Sequence, residues 1–227
     1  FYVKVADASR VYGLELEHIL SPNRINYLTD GNTLIEEHIA GLPGDVFLQS
    51  HLQESKFNQI RICKEFVKFN ERCFVRLLGD MRSYNFVVDI TPDIEGNQYR
   101  IRAIDFDQQS YEGNFKIYRP QFFKENYPMI KLIKEKLQEK SIEQYKKEER
   151  AVLAKRIIST GMRIQKLIRI MEKDTIAPEK HLLQLKMELF EYTKDLNFKN
   201  AQSMGEVIHA AFQFVIRNYK NMNPFNV

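Results

Sequence analysis

The apolar and polar positions at the start of the chain predict short strands around a single helix. Residues 1–5 form a β-prone run that contains one lysine, Lys4. Over residues 11–20 the apolar side chains recur on one broad helical face. Residues 24–28 and 33–39 have the composition of two strands, and the Asp-Gly pair between them is a strong hairpin signal. This part of the chain therefore predicts the order strand, helix, hairpin.

The remaining pattern is mainly helical and includes one more hairpin. Residues 45–74 fit two helices. Residues 86–90 and 99–104 alternate in the manner of paired strands, with the turn-rich segment 91–97 between them. Four further helical patterns follow, near residues 130–147, 149–173, 178–194 and 204–221.

Together these elements predict an α+β fold with two parts. Residues 1–44 would form a partial small unit and a linker. Residues 45–227 would form a mainly helical unit that carries the hairpin region 78–107. A chain of 227 residues can bury a substantial core in this arrangement.

Composition narrows the classes of protein that this chain can belong to. Hydrophobic content of 44% and charged content of 28% are ordinary for a globular domain. The formal net charge of +4 is mild and does not require a nucleic-acid partner. No apolar run approaches the roughly 20 residues of a bilayer-spanning helix, so we expect no membrane partner. The two cysteines predict free thiols in a reducing compartment, and we expect a cytoplasmic protein.

Polar residues flank the second predicted hairpin in an order that suits a binding site. Asp80 is followed five residues later by Asn85, where the first strand begins. Asp105 comes at the end of the second strand, and Asp107 follows it. Because antiparallel pairing brings these two strand ends close together, the oxygens of Asn85 and Asp105 can reach one ion.

These residues resemble the catalytic loop and the metal-binding motif of the protein-kinase-like fold. The segments GDMRSYN (79–85) and IDFD (104–107) are closest to small-molecule kinases of the aminoglycoside phosphotransferase and choline kinase type. In that family the loop commonly reads His-Gly-Asp-x-x-x-x-Asn, and the metal motif reads Ile-Asp-[Phe/Trp]-[Glu/Asp]. Leu78 stands where the family has the His. The resemblance covers roughly residues 1–110.

The resemblance implies a two-lobed kinase-like fold, with a truncated small β lobe and a mainly helical large lobe, that binds ATP and Mg²⁺. Asp80 would accept the proton of an acceptor hydroxyl, and Asn85 and Asp105 would bind the magnesium ion. Asp107 matches an acidic position of the family, where we expect it to support the loop or to bind a second ion.

The resemblance also implies roles for residues of the small unit. Lys4 would contact the nucleotide phosphates and pair with a carboxylate of the next helix, for which Glu15 is the best match. The backbone of Glu37, His38 and Ile39 in the linker would bind the adenine edge. No Gly-x-Gly occurs in the chain. We therefore expect the Gly-rich strand pair, which covers the phosphates in this family, to lie upstream of Phe1.

Three functions follow from these patterns. The first is a phosphotransferase that acts on a hydroxyl-bearing substrate. A small molecule is favoured over a protein, since no Ala-Pro-Glu motif directly follows the irregular stretch 118–123; the one in the chain stands far beyond it, at 177–179. The second is a catalytically inactive kinase-like scaffold, which Leu78 favours. The third is a binder of nucleic acid or of an acidic partner through a basic helical face, although a solvated face is the simpler explanation. That face comprises Lys155, Arg156, Arg163, Lys166 and Arg169.

Overall fold

The N-terminal part of the chain builds a small antiparallel sheet beside one helix. The computed structural model describes residues 1–54, 57–94 and 96–222. Strand β1 (Tyr2–Val5) leads into helix α1 (Ala8–Leu20), and strands β2 (Tyr27–Asp30) and β3 (Thr33–Glu36) follow. The strand order is β1-β3-β2, so β3 is central. The predicted order of strand, helix and hairpin is confirmed.

A second antiparallel sheet contains the hairpin that carries the polar motif. Strand β5 (Phe86–Asp93) pairs along its whole length with β6 (Gly96–Ala103), and the short strand β4 (Leu42–Pro43) pairs with β5 on the other side. Both predicted strands are confirmed. They are longer than predicted, because pairs such as Thr91 with Gln98 continue the register into the segment that was expected to be a loop.

Helices make up most of the remaining described chain. Helix α2 (Gly44–Val46) continues into a π-helical turn (Phe47–His51), and helix α3 (Gln59–Arg76) leads to the polar motif. After the second sheet come α4 (Tyr127–Lys136), α5 (Glu139–Ser159), α6 (Gly161–Lys173), α7 (Glu179–Thr193), α8 (Leu196–Asn200) and α9 (Met204–Met222). The α+β class is therefore confirmed.

Two of the predicted helices have the wrong bounds. The patterns near 130–147 and 149–173 contain breaks at Leu137, where the backbone becomes extended, and at Thr160. The Thr160 hydroxyl donates a hydrogen bond of 2.6 Å to the Arg156 carbonyl, an interaction that competes with the helical hydrogen bonds. The helical patterns over 178–194 and 204–221 agree with α7 and α9.

The buried apolar side chains form two clusters, and α1 contributes to both. Leu14 packs in the cluster that joins the faces of the sheets to α3 and α4. Leu16 packs in the cluster that joins α5, α6 and α9. None of the helices in the described part of the chain combines the length and the apolar character that a membrane span requires.

Candidate active site

The loop that carries Asp80 is fixed by contacts with residues 108–110. Helix α3 ends at Arg76, and the next residue, Leu77, caps it with a left-handed backbone at φ of 54°. Leu78, at the position where the family has a His, is fully buried and forms a β-bridge with Gln109. The Gln109 amide group donates hydrogen bonds to the carbonyls of Arg76 and Leu77. Sequence reasoning missed Gln109, whose role depends on a contact between distant parts of the chain.

Asp80 has a strained backbone and a cationic partner. Its φ is 56°, and its N–H donates to the Ile117 carbonyl at 3.2 Å. Its carboxylate accepts a hydrogen bond of 2.8 Å from Arg82 Nε, and Arg82 also binds Glu125 at 2.8 Å. The hydrogen bond to Asp80 raises the pKa of Arg82. Asp80 is therefore held by an arginine that sequence reasoning did not single out.

Asn85 and Asp105 lie at neighbouring ends of strands β5 and β6. The Asn85 carbonyl accepts a hydrogen bond of 3.0 Å from the N–H of Ile104, the residue before Asp105. The Asn85 side-chain nitrogen donates to the Asp80 carbonyl at 2.8 Å, so its amide oxygen is the atom left for a cation. One Asp105 oxygen accepts the N–H of Phe106, which leaves the other oxygen for a ligand. These two oxygens are of the type that Mg²⁺ prefers.

A complete metal cage made by the protein alone is not present in the described residues. No group of three or more His, Cys, Asp and Glu side chains there is placed to hold a metal ion. A magnesium ion that uses one carboxylate, one amide oxygen, water and nucleotide phosphates does not require such a group. The donors at Asn85 and Asp105 therefore fit Mg²⁺ only together with a phosphate ligand.

The expected ion pair between Lys4 and Glu15 is wrong. The Lys4 ammonium lies 2.8 Å from Glu36 Oε2 and 3.9 Å from Asp105 Oδ1. Glu15 instead accepts hydrogen bonds from the Tyr27 hydroxyl and, at 2.9 Å, from Arg163. The reason is the orientation of α1, which turns Glu15 towards β2 and α6.

Glu36 is the partner of Lys4 because of the register between β1 and β3. Lys4 lies opposite Leu34, so Glu36 is its diagonal neighbour on the same face of the sheet. The sequence contained one signal for this placement. Leu34 and Glu36 are two residues apart, so both lie on the buried face of their strand, and a carboxylate on that face requires a partner.

The N-terminus of α1 covers the segment that contains Asp107. Asp7 caps the helix by accepting the Arg10 N–H at 2.9 Å, and the Arg10 side chain reaches to 3.5 Å from Asp107. Burial raises the pKa of Asp107, and the negative charge of Asp105 raises it further, whereas Arg10 opposes both effects. Asp107 thus lies beside the proposed metal ligand, in contact with a cation.

The linker offers fewer backbone groups than expected. The Glu37 N–H donates to the Asn26 carbonyl at 2.9 Å, so it is not available to an adenine. The His38 ring is 2.9 Å from the Tyr2 hydroxyl, and Ile39 is buried in the first apolar cluster. The backbone groups that remain as candidates for binding the adenine edge are the Glu37 carbonyl and those of His38 and Ile39.

The basic helical face is interrupted and partly engaged within the protein. The break at Thr160 separates its residues between α5 and α6. Arg156 donates to the Ser21 carbonyl at 2.9 Å, and Arg163 binds Glu15. These contacts favour a structural role for two of its five cations.

Comparison with known proteins finds no matching family model, no matching curated protein and no matching solved structure. The functional assignment therefore depends on the geometry of the site itself.

Proposed function

We propose that the protein is an ATP- and magnesium-dependent phosphotransferase with a two-lobed kinase-like architecture and a boundary near residue 44. Its acceptor would be a hydroxyl group, on a small molecule rather than on a protein. The observation that carries the proposal is the hydrogen bond from the Asn85 amide to the Asp80 carbonyl, with Lys4 beside Asp105. These contacts support the proposal, because the first joins the proposed base to one proposed metal ligand and the second joins the other proposed ligand to the proposed phosphate-binding cation.

Each side chain has a distinct role in this proposal. Asp80 accepts the proton of the acceptor hydroxyl while that oxygen attacks the terminal phosphorus and the bond to the nucleoside diphosphate breaks. Asn85 and Asp105 hold Mg²⁺, which supplies positive charge to the phosphates when it is bound. Lys4 supplies further positive charge. Most of the rate acceleration would come from positioning and charge stabilisation.

A catalytically inactive scaffold is the second candidate. The ion pair between Arg82 and Asp80 favours it, because a base that is held by an arginine is less available to an acceptor.

Either function suits a reducing, cytoplasmic compartment. Both cysteines, Cys63 and Cys73, are free and buried, and burial raises the pKa of each thiol to about 12.

The test compares three aspartate variants of one hairpin region by calorimetric titration with ATP in the presence of Mg²⁺. Asp105→Ala should lose most of the magnesium-dependent affinity, because it removes a ligand. Asp80→Asn should keep that affinity but lower turnover by roughly 10² or more, the usual result of losing a general base. Asp89→Asn is the control and should change neither property, since the side-chain hydrogen bond of Asp89 within the described residues is a long one of 3.5 Å from the Thr91 hydroxyl.

Turnover can be followed as ATP hydrolysis, with water in place of the unidentified acceptor. Unchanged magnesium-dependent binding in Asp105→Ala would refute the metal site. If the wild-type protein binds Mg²⁺-ATP but neither hydrolyses it nor transfers its phosphate, the scaffold is the correct function.

A further inference from the structure

Lys4 is held between two carboxylates at unequal distances. Its ammonium is 2.8 Å from Glu36 Oε2, 3.3 Å from the Ile104 carbonyl and 3.9 Å from Asp105 Oδ1. The closer carboxylate belongs to the same sheet as Lys4, and the more distant one is the candidate magnesium ligand. The position of Lys4 therefore depends on a balance between Glu36 and Asp105.

Glu36 is buried deeply enough to require a cation. The residue is 4% exposed, and its Oε1 atom is buried without a hydrogen-bond partner among the described residues. A buried carboxylate is costly unless it is paired, so the contact with Lys4 compensates a charge that would otherwise be destabilising. This cost holds the ammonium on the Glu36 side.

We propose that Glu36 is a positioning residue that keeps the Lys4 ammonium from closing on Asp105, which leaves the Asp105 carboxylate free for Mg²⁺. This inference depends on the proposed function. Without the negative charge at position 36, the nearest carboxylate to Lys4 is Asp105. Lys4 and Mg²⁺ would then compete for the charge of one carboxylate, with the ammonium on Oδ1, which Lys4 already faces, and the metal on the other oxygen.

The proposed arrangement does not involve helix α1. Lys4 and Glu36 are diagonal neighbours in one sheet, whereas Glu15 of α1 is bound to Tyr27 and Arg163. Movement of α1 would therefore leave the pair between Lys4 and Glu36 intact.

The experiment measures the Mg²⁺ concentration that gives half of the maximal ATP binding. Glu36→Gln keeps the size of the side chain and removes its charge, and it should raise that concentration about tenfold, as losses around metal ligands commonly do. At saturating Mg²⁺ the ATP affinity should return close to the wild-type value, because the effect is competition. A purely structural role would lower affinity at every Mg²⁺ concentration. Glu15→Gln is the matched control and should leave the Mg²⁺ requirement unchanged.

The outcomes separate this inference from the proposed function. If the wild-type protein shows no magnesium-dependent ATP binding, the proposed function is wrong and the inference fails with it. If the wild-type protein binds but Glu36→Gln has the same Mg²⁺ requirement, only the inference is wrong.

Circular dichroism checks folding. If Glu36→Gln does not fold, Glu36→Asp decides, because it retracts the carboxylate by one methylene: a higher Mg²⁺ requirement supports the inference, and an unchanged one overturns it.

Discussion

Asp107 has an electrostatic setting that works against its own ionisation. Burial raises its pKa, the charges of Asp105, Asp7 and Asp80 raise it further, and only Arg10 acts in the opposite direction. The folded protein therefore binds a proton at Asp107 more readily than the unfolded chain does. It follows that ionised Asp107 lowers stability at neutral pH, and that stability recovers as the pH falls through the raised pKa.

Asp107→Asn should make the protein more stable than the wild type at pH 7 in the absence of Mg²⁺. The advantage should shrink as the pH falls through the raised pKa towards about 3.9, the ordinary Asp value, because wild-type Asp107 then becomes neutral as well. Urea unfolding at several pH values measures the difference. A variant that is less stable than the wild type at pH 7 would contradict the assigned direction.

Asp93→Asn provides a control, because the pKa of Asp93 is shifted downwards, opposite to the shift at Asp107. Hydrogen bonds from Gln98 and from the Ile94 N–H lower the pKa of Asp93, which is a fully exposed group. The folded protein therefore stabilises the ionised form of Asp93. Any loss of stability in this variant should be present at pH 7 and should disappear as the pH falls, because wild-type Asp93 then becomes protonated as well.

The residues that could be found from the sequence are those whose relation is local. Asp80 and Asn85 are close along the chain, and the hairpin between Asn85 and Asp105 is a simple connection. Glu36 and Gln109 act on residues far away in sequence. Their partners depend on strand register and on loop contacts, which the apolar pattern does not specify.

At the level of elements, the site depends on the close approach of α1 to the segment after β6. Gly13 of α1 permits this approach, because an added Cβ would lie 2.9 Å from the Cβ of Phe106. Phe106 lies between Asp105 and Asp107 in the chain. The distance between α1 and this segment therefore affects both carboxylates.

Gly13→Ala should destabilise the protein by about 1–3 kcal/mol, the usual range for overpacking a close contact. It should also weaken magnesium-dependent ATP binding, because Phe106 has to move. Gly161→Ala is the matched control, since an added Cβ at that helical glycine meets nothing within 4 Å. Thermal unfolding and ATP titration of both variants check the prediction. Equal behaviour of the two variants would show that the contact at Phe106 is not tight.

Helix existence was predictable, whereas helix breaks were not. Apolar residues recur through Leu137 without a proline or glycine beside it, and they recur through Thr160 although Gly161 directly follows, so the pattern predicted helices that continue. The interruption at Thr160 involves a hydroxyl bond to the preceding turn. Such a bond is available to many helical threonines, and the three-dimensional packing decides whether it forms.

At the level of the whole molecule, a buried ion pair joins α1 to α3 near both apolar clusters. Glu17 of α1 and Arg76 of α3 have side chains that are 4% and 2% exposed, and they are in direct contact. Arg76 also donates to the Arg72 carbonyl at 3.3 Å. Because α1 contributes to both clusters, this pair fixes the helix that connects the small sheet with the helical part.

Glu17→Leu should lower the free energy of unfolding by about 3–5 kcal/mol, because it leaves the buried Arg76 guanidinium without its carboxylate. Arg76→Leu should have a similar effect for the reciprocal reason. The double variant should lose much less than the sum of the two single losses, since no unpaired charge remains buried. Urea unfolding of the four proteins gives the coupling energy.

Glu191→Leu is the control for this cycle, because Glu191 pairs with Lys194 on the surface and both side chains are largely exposed. That variant should leave stability almost unchanged, as solvent and salt screen exposed pairs. If Glu17→Leu behaves like Glu191→Leu, the pair does not fix α1. If it unfolds the protein far more easily and the double variant restores stability, the position of α1 over Asp107 depends on a charge pair remote from the site.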